Sequence, residues 1–153
     1  MNWHTEQLQE LIDRLDALAV AARQMLAVLQ EEHTALYHRD PPTPELLHEK
    51  ARLAGIIETE QATFSAFRST LNTDNLESSL AEQEAPAAHE HWVTTRSLLQ
   101  QCDHLNEVNG RLLNRLHTRN RLFDRVLRQQ VTEPTYSRSG QLGDGRQGSL
   151  GRA

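Results

Sequence analysis

Leucine and other apolar residues recur at intervals of three and four along most of this chain. Glutamate, glutamine, aspartate and arginine occupy the positions between them. This spacing puts the apolar side chains on one face of a long helix, which must be buried against other helices. The sequence therefore predicts an all-α protein. The first series consists of Leu8, Leu11, Leu15, Leu18, Ala22, Met25, Leu29 and Leu36.

Prolines divide this periodic pattern into three long helices. Pro41 and Pro42 end the first helix near His38, because proline lacks a backbone donor and moves the preceding residue out of the helical region. Thr43 is a good N-cap residue, and Pro44 suits the first position of the next helix. The predicted helices cover residues 3–38, 44–71 and 87–131, and the polar stretch 72–86 is a connection with room for a short helical turn.

Matching apolar faces predict an elongated, antiparallel three-helix bundle of coiled-coil character over residues 1–131. Residues 132–153 contain five of the seven glycines and predict a flexible tail. At 1.5 Å per residue the third helix spans roughly 65 Å and the second about 42 Å, so part of the third helix lacks neighbours. With the overhang at the C-terminal end, Phe123, Val126 and Leu127 form an apolar strip that faces solvent, as partner sites do.

Asn109 and Gly110 are unexpected in the third helix, because both residue types are poor helix formers. A polar residue at one position of an apolar stripe fixes helix register, and glycine permits a close approach of another helix or a local bend. We interpret the pair as a register or bend device, with Glu60 facing Asn109. On this hypothesis it marks where the packed bundle gives way to a partner-binding end.

The residue types needed for catalysis do not occur in a suitable arrangement. His89 and His91 point in different directions on a helix, so they do not share a metal ion. Cys102 is the single cysteine and lies at an apolar stripe position, which indicates a buried thiol rather than a nucleophile. The sequence predicts no catalytic residue, metal or cofactor. Without a leader or a membrane span, it predicts a soluble cytoplasmic protein.

Charge is distributed unevenly, with 16 acidic and 6 basic residues in 1–90 against 5 acidic and 10 basic residues in 91–153. Two interpretations of the basic half stay open. The arginines pair with the acidic first and second helices or are solvated; alternatively, the protein is a helical nucleic-acid-associated protein whose arginine ridge follows a phosphate backbone. The arginines concerned are Arg111, Arg115, Arg119, Arg121, Arg125 and Arg128.

The run LNEVNGRLLNRLHTRNRLFDRVLRQQ, followed by EPTYSRSGQ, resembles the C-terminal half of the FlgN family of flagellar type III export chaperones. The N-terminal half agrees more loosely, through its leucine-rich helix, the element from Glu32 to Leu36 and the element from Lys50 to Ile57. Ser137, Arg138 and Ser139 depart from the small and acidic segment common in the family. The resemblance covers nearly the whole chain and is most specific in residues 102–141.

This resemblance implies a non-catalytic cytoplasmic chaperone that binds the disordered C-terminal segments of the hook-filament junction proteins FlgK and FlgL. Such a chaperone prevents the premature assembly of these proteins and delivers them to the flagellar export gate. It also implies that Tyr136 docks on the gate protein FlhA, and that the chaperone binds no nucleic acid and does not insert into the membrane. Its exposed apolar residues favour a homodimer when no client is bound. The implied client-binding residues are Leu112, Leu116, Phe123, Val126 and Leu127.

Overall fold

The computed structural model describes residues 3–132, and side chains up to residue 129. Within this range the chain is helical and contains no strand, which confirms the predicted all-α class. The elements are α1 (Thr5–Tyr37), α2 (Pro44–Thr70), α3 (Leu76–Glu82) and α4 (Pro86–Thr132). The bounds of the three long helices differ from the predicted ones by no more than two residues. The prediction of a flexible tail concerns residues that, apart from Thr132, lie outside the described part of the chain.

Local capping signals act where the sequence places them. The Thr43 hydroxyl accepts a hydrogen bond from the backbone N–H of Leu46 at 3.2 Å, and Pro44 is the first residue of α2. This arrangement supplies one of the backbone donors at the start of the helix with a partner. The restart of the helix after the proline pair is therefore encoded locally.

The connection between α2 and α4 contains α3, a helix of seven residues where the sequence indicated room for a helical turn. The Asn75 side chain caps it by accepting a hydrogen bond from the N–H of Ser78 at 2.9 Å. Leu76 and Leu80 are both buried, because a spacing of four residues puts them on one side of the helix. These two leucines fix α3 to the core.

The chain divides into two compact units, Met1–Leu112 and Leu113–Ala153. The core of the first unit consists of two clusters of buried apolar residues. One holds Trp3, Leu11, Leu15, Phe64, Phe67, Leu71, Leu76, Leu80 and Ala88. The other holds Ala22, Met25, Leu29, Leu53 and Cys102.

Within the first unit, α1 and α2 run antiparallel. The guanidinium of Arg14, near the start of α1, lies 5.2 Å from the ring centre of Phe67, near the end of α2. At the opposite ends, Glu32 of α1 pairs with Lys50 of α2. These two contacts confirm the predicted direction of the second helix.

The part of α4 in the first unit runs parallel to α1, in a register set by three hydrogen bonds. Three side chains of α4, spaced seven residues apart, each donate to a backbone carbonyl of α1, also spaced seven apart. The pairs are Thr95 with Leu15 at 3.1 Å, Cys102 with Ala22 at 3.3 Å and Asn109 with Leu29 at 2.9 Å. A seven-residue repeat keeps the same faces of two helices in contact, as in a coiled coil. The up-down-up order of the long helices is thereby confirmed for this unit.

The described part of the second unit is a single stretch of α4, from Leu113 to Thr132. None of the helices in the described residues has an apolar stretch of the length that a bilayer requires.

Candidate partner-binding site

Four large apolar side chains of α4 are exposed in the second unit. The exposed fractions are 50% for Leu122, 62% for Phe123, 49% for Val126 and 55% for Leu127. Spacings of three and four residues put these side chains on one side of two successive helical turns. We call them the apolar strip. Large apolar side chains grouped on a surface are typical of protein-binding sites, which makes the strip the candidate site.

Three of the five residues expected to bind a client belong to this strip, namely Phe123, Val126 and Leu127. Leu116 is buried, with 8% of its surface exposed, and Leu112 is half-buried in the first unit. Sequence reasoning missed Leu122, because it lies to one side of the apolar stripe. Its spacing of four residues from Val126 was the signal that it shares a surface with the strip.

The surroundings of the strip are strongly basic. Residues 111–129 contain six arginines and a single acidic residue, Asp124. Arg111 forms a salt bridge of 3.4 Å with Glu107 of the same helix, rather than with α1 or α2. Arg121 donates a hydrogen bond to the Thr118 hydroxyl at 3.4 Å. With six arginines and one aspartate, residues 111–129 carry a formal net charge of +5.

A buried polar cluster surrounds Asn109, which is only 1% exposed. Its Nδ2 donates to Oε2 of Glu32 at 2.8 Å and to the carbonyl of Leu29 at 2.9 Å. Its Oδ1 lies 2.9 Å from Nδ1 of His33. Because both amide hydrogens are used as donors, Oδ1 is the acceptor and a proton on Nδ1 of His33 is assigned as the donor.

Glu32 completes this cluster through Lys50 of α2. The Lys50 Nζ lies 3.0 and 3.1 Å from the two carboxylate oxygens of Glu32, whose side chain is 4% exposed. The prediction that Glu60 faces Asn109 is wrong. Antiparallel packing brings Lys50 to this level of the bundle, and Glu60 lies ten residues further along α2, about 15 Å away. The register role of Asn109 stays a prediction, now with Glu32 and His33 as its partners.

Gly110 is exposed, and α4 continues through it from Pro86 to Thr132. A Cβ atom added at Gly110 meets no atom within 4 Å outside the helix's own backbone. The close approach of another helix therefore does not account for this glycine. The suggested role of Gly110 in a bend stays a prediction.

Cys102 is buried, and its thiol donates to the carbonyl of Ala22. Burial raises the pKa of the Cys102 thiol, and the negative charge of Asp103 raises this pKa further. Both effects disfavour the thiolate, which is the reactive form of cysteine. The side chain thus has the structural role that its stripe position predicted. Among the described residues, no three His, Cys, Asp or Glu side chains are grouped so that they could hold a metal ion.

The residue assigned to gate docking, Tyr136, lies outside the described residues. Comparison with known families nevertheless covers it. No curated protein and no solved structure matches the chain. A family profile described as FlgN protein matches residues 1–143, which include the four helices, the strip and Tyr136. The chain therefore belongs to the FlgN family of flagellar export chaperones.

Proposed function

We propose that this protein is a cytoplasmic chaperone for the hook-filament junction proteins FlgK and FlgL. It binds their disordered C-terminal segments, prevents premature assembly and delivers them to the export gate protein FlhA. Family membership supports the class of function. The observation that supports the binding mode is the apolar strip, in which four large side chains are each about half exposed or more.

The strip is suited to an amphipathic helix. A client segment that folds on binding lays its own apolar residues, spaced by three and four, along those of α4. The residues at the centre of this contact are Phe123 and Leu127, which are the most exposed members of the strip. Leu112 and Leu116 are less exposed and extend the same series toward the N-terminus of α4.

Burial of the strip alone gives a limited affinity. Covering a large apolar side chain completely contributes about 1.5–3 kcal/mol, so four half-exposed ones contribute roughly 3–6 kcal/mol. Association and ordering of the client cost about 4 kcal/mol or more. The client must therefore make contacts beyond these four residues, either along α4 or with its charged groups.

Delivery requires a second contact, which we assign to Tyr136. Tyr136 follows Leu127, the last residue of the strip, by nine residues. The proposed gate-docking and client-binding residues therefore lie in separate stretches of the chain. Substitution of Tyr136 by Ala is expected to reduce binding to the cytoplasmic part of FlhA and to leave client binding unchanged. Equal binding of FlhA by both proteins would remove Tyr136 from the proposal.

Calorimetric titration with the C-terminal segment of the FlgK from the same bacterium tests client binding. Circular dichroism of the mixture is expected to show more helix than the sum of the separate components, because folding accompanies binding. Leu127→Asp is expected to abolish binding. Leu47→Asp is the matched control, because Leu47 is a leucine of α2 with 46% exposure and lies outside the strip.

Three outcomes would contradict the proposal. The wild-type protein fails to bind either junction protein, or Leu127→Asp binds as tightly as Leu47→Asp, or the protein instead binds nucleic acid with an affinity that falls steeply with salt. The last outcome would favour the arginine ridge as a phosphate-binding surface. A client complex with an apolar core is expected to persist at moderate salt.

A further inference from the structure

Arg119 lies within the apolar face and is the one half-buried arginine among the six of residues 111–129. It follows Leu116 by three residues and precedes Phe123 by four, so these side chains share one side of α4. Arg119 is half-buried, whereas Arg115 and Arg121 are exposed. Its Nε is buried and has no hydrogen-bond partner among the described residues. Part of the Arg119 side chain stays exposed, and a rotation of the guanidinium that uncovers Nε would let this donor bind an acceptor supplied by a bound molecule.

The chemistry of that acceptor follows from the charges around it. The six arginines and single aspartate of residues 111–129 repel a basic segment and attract an acidic one. A guanidinium binds a carboxylate through two parallel N–H donors, which an amide or hydroxyl does not match. A carboxylate carried one turn from an apolar side chain of a client helix reaches Arg119 while that side chain covers Phe123.

We propose that Arg119 selects the client by binding a carboxylate of an acidic amphipathic segment, beside the apolar anchor that covers Phe123. This inference rests on the proposed function, since it defines which segments the strip accepts. The apolar strip contributes affinity for many amphipathic helices. Arg119 restricts binding to those with an aspartate or glutamate next to their apolar face.

Arg121 provides a matched control for this assignment. It is two residues away and carries the same charge, but a rotation of 100° per residue puts it on the far side of α4, about 200° from Arg119. Arg119→Gln and Arg121→Gln thus change the overall field equally. Only Arg119→Gln removes the donor beside the strip. Arg119→Lys keeps the charge without the planar pair of donors.

The test measures affinities of the full-length protein and these variants for the FlgK C-terminal segment by calorimetry. Arg119→Gln is expected to weaken binding about tenfold or more, because a charge-assisted hydrogen bond is lost. Arg121→Gln is expected to stay within about twofold of wild type, and Arg119→Lys is expected to lie between the two. Replacing the critical client carboxylate by an amide is expected to weaken binding to wild type but not to Arg119→Gln. Circular dichroism checks that each variant is folded.

Each adverse outcome has a separate meaning. If the wild-type protein binds and the two glutamine variants bind equally, the role of Arg119 is overturned while the chaperone function stands. The same holds if a client segment without any acidic residue binds as tightly. If the wild-type protein binds no junction-protein segment, the proposed function fails, and the inference fails with it.

Discussion

Lys50 is expected to be essential for stability, because it is the cation that pairs with the buried carboxylate of Glu32. Replacing Lys50 by Met removes a side chain that is 27% exposed and leaves a carboxylate that is 4% exposed without that pairing. Removing one partner of a fully buried ion pair costs about 3–5 kcal/mol. Partial exposure of Lys50 reduces this to roughly 2–4 kcal/mol. The hydrogen bond that Asn109 donates to Glu32 does not compensate, since an amide carries no net charge.

Urea unfolding followed by circular dichroism measures this loss as a lower transition midpoint with an unchanged slope. Arg52→Met is the matched control, because Arg52 lies in the same helix and pairs with Glu49 at 2.6 Å, but both side chains are largely exposed. This control is expected to leave the midpoint nearly unchanged. A double variant that replaces Glu32 by Leu and Lys50 by Met is expected to regain much of the stability, since the buried charge is gone. Equal midpoints for Lys50→Met and Arg52→Met would refute the reasoning.

Three further outcomes follow from individual positions of α4. Gly110→Ala is expected to raise the free energy of unfolding by about 1 kcal/mol and the melting temperature by about 2–4 °C, because the site has space for a methyl group. A lower melting temperature of the variant would show that the chain needs glycine at this position. Asn109→Leu is expected to lower stability, because Glu32 and His33 each lose a hydrogen-bond partner; a stabilised variant would reduce Asn109 to a register device. Cys102 is expected to react with iodoacetamide at pH 8 only in denaturant, since burial raises its pKa, and rapid alkylation of the folded protein would contradict its place in the core.

Local signals made the helices predictable from the sequence. The periodic leucines of α1, the proline pair after it and the Thr43 cap each act within one or two turns of chain, so neighbouring residues suffice to read them. The helix α3 was harder to predict because it has two leucines, Leu76 and Leu80, and a period needs several repeats to be recognised. Its stability depends on the core that these leucines enter.

Partners of the buried polar residues depend on the register between distant segments, which local patterns do not contain. Asn109 and Glu32 are 77 residues apart, and shifting one helix by a heptad would give Asn109 a different partner with the same apolar faces in contact. The choice of Glu60 failed for this reason. A signal was nevertheless present, since Thr95, Cys102 and Asn109 are three hydrogen-bond donors spaced by seven residues in an otherwise leucine-rich stripe.

The same seven-residue series also bears on whether the strip serves partner binding or the stability of the folded chain. Continuing it from Asn109 gives Leu116, which is buried, and then Phe123, which is 62% exposed. With 47 residues, α4 has more stripe positions than the 33 residues of α1 or the 27 residues of α2. A phenylalanine exposed to this extent contributes little to folding, and an arginine or glutamate at that position would serve solubility better. We therefore propose that a bound molecule covers Phe123, which is the role assigned to the client segment.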